Sequence, residues 1–366
     1  MILRTGLAFL LSISALAAET TSPALLILSK SDQTLSIVDG KTLKVGARLP
    51  SGPDPHEVVA STDGHYAFIS NYGGGAYNTI SVIDLVAQKA LPAVDLSPLR
   101  GPHGLDFYGG KLWFTAEINK VIGSLDPATM KVDFILGTGQ NRTHMVYVLP
   151  DGKRMVTTNV NAGTVSIIDK TMAPQGRGPG GPPPGGPPPG GRGPGGPPPQ
   201  GGPARGPGGR GPGGPREDWD ETVVKVGPGA EGFDVSPDGK ELWTANAQDG
   251  TVSIVDLPGK KLKETLQANV TGANRLKFTP DGKLVFVSTL GGPDLTIIDA
   301  ASHKELKRFP IGRGAAGIQM QPDGVRAFVA CTPDDYVVVV DLKTLQVTGK
   351  IDAGKQPDGM AWVPAK

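Results

Sequence analysis

Three of the five histidines open short apolar stretches in the same way: D-P-H-E-V-V at His56, G-P-H-G-L-D at His103 and R-T-H-M-V-Y at His144. The same opening recurs later with other side chains at the histidine position. It holds Glu231 in G-A-E-G-F-D, Asn274 in G-A-N-R-L-K, Ala316 in A-A-G-I and Asp358 in Q-P-D-G-M. Three neutral imidazoles and a carboxylate can hold a borderline divalent metal such as Zn, Fe, Mn or Cu and leave a position open for water or substrate. The expected metal ligands are therefore His56, His103, His144 and Glu231, with Glu231 or Asp358 as the proton-accepting base. Arg100, Arg142, Arg275, Arg313 and Lys355 all lie within three residues of this column. Together with Asn274 they predict a ligand-contacting mouth with a positive field suited to an anion. The plainer reading is a polar, water-lined channel.

Such a column needs a repeat to position it. Seven apolar segments end in aspartate, at Asp39, Asp84, Asp126, Asp169, Asp256, Asp299 and Asp341, spaced by about 43 residues with one doubled interval. In the unit Ala230 to Asp256, one strand meets a P-D-G turn, a second meets a D-G turn, and a third carries T-V-S-I-V-D. Proline at the first central turn position and glycine where φ is positive join antiparallel neighbours tightly. A fourth strand follows in each unit, and no stretch reads as a long helix. The chain begins on a second strand, A-L-L-I-L-S, and ends on a first strand, P-D-G-M-A-W-V. The two complete one unit. The expected fold is all-β, a seven-bladed β-propeller of four-stranded antiparallel blades, closed by N-terminal strands pairing with the C-terminal strand. First strands converge on the axis of such a ring, so the column becomes a circle of side chains around a central pocket.

The run W-T-A-N-A-Q-D-G-T-V-S-I-V-D, followed by F-T-P-D-G-K-L-V-F-V-S, resembles the YVTN-repeat β-propeller family. The resemblance implies seven blades, export, and a kinship in fold with lactonase-type propellers, and hence a lactone-like substrate. It says little about activity, because propellers host unrelated functions.

Residues 1–18 combine Arg4, an apolar run from Leu7 to Leu16 and a small-residue A-L-A-A site, the order of a secretory signal peptide. The remainder, 19–366, is expected to be one propeller domain, exported to the periplasm or the extracellular space, monomeric and without a transmembrane anchor. Residues 172–217 are nearly all glycine and proline and read as a disordered insertion within one blade. A net charge of +1 argues against a nucleic-acid partner. The single cysteine, Cys331, excludes an internal disulfide and reads as a small buried side chain, while His65 and His303 read as exposed and without a role. Two functional classes remain. One is a pocket protein, possessing a metal-dependent hydrolase or lyase activity on a small anionic or lactone-like substrate. The other is a non-catalytic scaffold binding a protein of the cell envelope.

Overall fold

The structure, a computed structural model, describes residues 22–172 and 217–365. The leader expected over residues 1–18 and the Gly/Pro segment between Met172 and Glu217 lie outside the described residues. Seven four-stranded antiparallel sheets follow one another around a ring. Blade 1 is built from Pro55–Ala60, Tyr66–Asn71, Thr79–Asp84 and Lys89–Asp95, and blades 2 to 6 begin with Pro102–Tyr108, Thr143–Val148, Ala230–Val235, Ala273–Phe278 and Ala315–Met320. Blade 7 combines the last strand, Pro357–Val363, with Ala24–Ser29, Thr34–Asp39 and Val45–Pro50. The two ends pair in register Ala24↔Val363, Leu25↔Trp362 and Leu26↔Ala361. This closure leaves Ala24–Ser29 paired on both sides and gives blade 7 its innermost strand.

The middle strands of each blade are buried on both faces, so they read as continuous apolar runs instead of alternating ones. The third residue of the second strand fills the gap between blades with Phe68, Trp243, Phe286 and Phe328, all fully buried. Phe68 of blade 1 packs with Leu105 and Phe114 of blade 2, and Phe328 of blade 6 packs with Leu25 and Ile27 of blade 7. Each such side chain contributes about 1.5–3 kcal/mol by leaving water.

The repeat's aspartate has a local task. Asp39 Oδ1 accepts the main-chain N–H groups of Lys41 and Thr42 at 3.1 and 2.6 Å, and Asp84, Asp299 and Asp341 cap their own third-to-fourth turns in the same way. Asp169 is the exception. Its strand runs on, Thr164–Met172 pairing with Glu217–Lys225 as far as Met172↔Glu217, so no turn follows to be capped. Its carboxylate instead binds Arg154 at 2.6 Å and Lys260 at 2.5 Å. Among the described residues no helix is long and apolar enough to cross a membrane.

Candidate metal and ligand site on the propeller axis

His56, His103, His144, Glu231, Asn274, Ala316 and Asp358 each occupy the second position of an innermost strand. At that position every one of the seven strands breaks register with its neighbour, for example between Pro102 and Leu105 and between Thr143 and Val146. The break is a bulge, which re-aims side chains. Hydroxyls on the second strands repair the interrupted ladder. Thr115 Oγ1 accepts the Gly104 N–H at 2.9 Å and donates to the His144 carbonyl of the next blade at 2.6 Å. Gly104 must be glycine here, because a Cβ would stand 2.5 Å from that same carbonyl oxygen.

His103 is the hub. Its ring lies 4.3 Å from that of His56 and 3.8 Å from that of His144, with Tyr72 edge-on at 5.0 Å. It is fully buried, and neither ring nitrogen has a hydrogen-bond partner among the described residues. Burial, then the neighbouring imidazoles, push its pKa well below the usual histidine value, so it is neutral.

On one side, Lys30 Nζ donates to His56 Nδ1 at 2.6 Å and lies 3.3 Å from both Asp54 and Asp358. Burial and the Lys30 charge hold His56 well below its ordinary pKa, which leaves Nδ1 an acceptor. Asp358 stands 3.5 Å from the same nitrogen, and burial raises its carboxyl pKa despite Lys30 and Arg275.

On the other side, His144 Nδ1 donates to Glu117 Oε1, while Nε2 lies 3.2 Å from Glu231 Oε1 in an ion pair. Burial alone would depress this imidazole, but Glu231 and Glu117 overcome it and carry the pKa up to about 9. Glu117 also accepts Tyr72 Oη at 2.5 Å and lies 3.3 Å from Arg142 Nε. Burial opposes its ionisation, yet His144, Tyr72 and Arg142 hold it below the usual carboxylate range.

The histidine column and Glu231 thus come together with Arg142. Asn274 remains on the ring and accepts from its neighbour Arg275, which turns across the axis to pair with Glu57. That pair forms a floor beneath the histidines. The other cations stay on the rim: Arg100 is exposed, Arg313 is tied at 2.7 Å to Asp334 in the loop after the second strand of blade 6, and Lys355 reaches Asp335 at 3.7 Å. Of the five expected cations, Arg142 and Arg275 reach the axis, and each meets a carboxylate there. His65 is half-buried, 3.6 Å from Asp84. His303 is not exposed either: it packs edge-on against Trp243 at 5.2 Å and donates to Glu264 at 2.7 Å. Cys331 is fully buried, and burial pushes its thiol up to about 12.

Lys30, Tyr72 and Glu117 were not anticipated. Each is the first residue after a second strand, in blades 7, 1 and 2, where blades 3 to 6 carry Val160, Ala247, Leu290 and Thr332. Aligning that position as well as the first strands would have exposed the polar run of three.

The donor set suits a metal. His103, Glu117 and His144 offer ligand atoms within 4.8 Å of one another, as do His56, Glu57 and His103.

No protein-family model matches the chain, and no curated protein matches it. Solved structures do. A functionally unknown protein from Desulfotomaculum acetoxidans superposes with a TM-score of 0.69 at 11% identity, over 94% of this chain and 99% of that one. A "putative 6-phosphogluconolactonase" from Bacteroides uniformis gives 0.68 at 15%, over 93% and 99%. The dihydro-heme d1 dehydrogenase NirN, in complex with DHE, gives 0.59 at 15%, over 92% and 74%. At these identities the likeness carries the fold alone, and together with the seven sheets it makes the chain a seven-bladed β-propeller.

Proposed function

We propose that the chain is an exported YVTN-type propeller whose upper axial pocket binds a divalent metal and, beside it, a small ligand. The observation that carries this reading is His103, a fully buried imidazole with both nitrogens unpartnered in the midst of His56, His144 and two carboxylates. An unmade hydrogen bond on a buried polar group costs about 1–3 kcal/mol, so a site built this way is expected to find its partner in a ligand. A propeller serving only as a scaffold has no need of such a residue.

His103 and His56 would hold the ion, joined by His144 once it gives up its proton, with Glu117 and Glu231 as carboxylate donors. When bound, a Zn, Fe, Mn or Cu ion supplies Lewis-acid polarisation of a substrate oxygen. The chain's own residues divide the remaining work. Glu231, less buried than Glu117 and kept ionised by His144 and Arg142 against the pull of burial, accepts a proton. Glu117, fixed by Tyr72 and Arg142, orients His144. Asp358, with its raised pKa, stands across the pocket as the group able to hold a proton. Lys30 and Arg142, each already paired with carboxylates, are the cations that an anionic group of a substrate meets there. The reaction class that fits is hydrolysis or elimination on a small anionic or lactone-like molecule, and the name carried by the Bacteroides uniformis protein is a reason to include lactones in the assay.

Elemental analysis of purified protein tests the reading. A stoichiometric transition metal in the wild type, lost in His103→Ala with the fold retained, supports it. Metal-free protein that takes up none on titration with Zn, Fe, Mn and Cu salts overturns it. Export is tested separately, by N-terminal sequencing of the mature protein for a start near Glu19.

A further inference from the structure

Beneath the floor made by Glu57 and Arg275, the axis widens again into a cavity of about 400 Å³ that opens on the opposite face. This volume lies within the range of small-molecule sites, about 300–1,000 Å³. Its walls are polar and apolar in about equal measure, the apolar part including Phe107, Phe233 and Trp362. Its polar side comes from one position of the innermost strands, three residues beyond the histidine column: Asp106, Tyr147, Asp234, Lys277 and Gln319 in blades 2 to 6.

The two aspartates are built alike. Asp106 Oδ2 accepts the Val148 N–H at 2.7 Å, and Asp234 Oδ2 accepts the Phe278 N–H at 2.9 Å, each reaching the innermost strand of the next blade. They differ in what meets the charge. Lys277 Nζ lies 3.4 Å from Asp234 Oδ1. No cation among the described residues lies within ion-pair distance of Asp106. The charged residues lining the cavity are Glu57, Asp106 and Asp234 against Arg275 and Lys277, one negative charge in excess. Glu57 and Arg275 neutralise one another, so the excess rests on Asp106.

We propose that this lower cavity is a second binding site, for a small organic cation: an amine on an apolar body, with Asp106 as its counter-ion. The aromatic walls take the body, and an ammonium beside Asp106 also faces Tyr147, which adds a cation–π contact. Burial raises the Asp106 pKa to about 6, as expected for a carboxylate waiting on a cation. The site is independent of the histidine pocket, from which the Glu57–Arg275 pair divides it.

Isothermal titration of the full chain with phenethylamine, phenethyl alcohol and 3-phenylpropionate, at about pH 8 where Asp106 is ionised, tests the assignment. The amine should bind with one-to-one stoichiometry and at least about 10-fold tighter than the alcohol, about 1.4 kcal/mol, and the carboxylate should not bind. Asp106→Asn should lose that preference, while His103→Ala should keep it. Equal binding of amine and alcohol, or no binding of the amine at millimolar concentration, overturns the proposal. So does a preference that survives Asp106→Asn. Should that variant not fold, the comparison of amine with alcohol on the wild type decides alone.

Discussion

Glu117 of blade 2 holds His144 of blade 3, and the same step of one blade separates Lys30 of blade 7 from the His56 that it contacts in blade 1. The end of a second strand thus supports the innermost strand that follows it around the ring. Replacing Glu117 by alanine strips Tyr72, Arg142 and His144 of a shared acceptor and leaves buried charge uncompensated. A loss of about 3–5 kcal/mol is expected, read by urea denaturation, with Glu117→Gln milder. An alanine variant as stable as wild type would mean that the cluster does not hold the site together.

The lower cavity gives a pH dependence of known sign. Tyr147, Asp234 and Lys277 share that face with Asp106, whose folded pKa of about 6 lies above its unfolded value. A raised carboxyl pKa favours the folded state while the group is protonated, and that advantage is lost as pH climbs from about 4 to about 6. Asp106→Asn keeps an acceptor for the Val148 N–H and removes the charge. It should be more stable than wild type by about 1–3 kcal/mol near pH 8, with the gap closing towards pH 4. Denaturation curves across that range check it, and parallel curves would contradict it.

Ring closure is tested by removing residues 357–366. Met360, Trp362 and Val363 would leave the blade 7 core, each worth about 1.5–3 kcal/mol when fully buried, and the edge of Ala24–Ser29 would be bared. Loss of cooperative melting and of solubility is expected. A truncated chain melting like the intact one would show that the ring closes otherwise.

Met172 and Glu217 are register partners, so the two ends of the Gly/Pro segment already stand side by side. Replacing residues 174–215 by a short Gly-Ser turn should change stability by no more than about 1 kcal/mol, since each doubling of loop length costs only about 0.6 kcal/mol. Aggregation of the shortened chain, followed by light scattering, would reveal packing of the segment on the body.

Blades and histidine column were legible because both are written locally: the P-D-G turns and the S-I-V-D strands recur at fixed spacing, and the column stands at a constant place within each. Glu117 was not, because F-T-A-E-I-N reads as a strand running out into a loop, where a carboxylate is ordinarily solvated. Only the offset between neighbouring blades carries it to His144, and that offset is a property of the closed ring. Arg100, Arg313 and Lys355 show the converse. Nearness in sequence to the column suggested a shared mouth, but side chains in the loops before a strand can turn to the rim, where Asp334 and Asp335 wait for two of them.

The pairing of the chain's two ends has a consequence in time. His56 stands between Lys30 and Asp358, which lie 328 positions apart in the sequence. Until residues 357–363 have been synthesised, the polypeptide carries Lys30 and His56 but not Asp358, and it has no seventh wall around the axis. The side of the axis built from Lys30, His56 and Asp358 is therefore assembled only once Pro357–Val363 has paired with Ala24–Ser29.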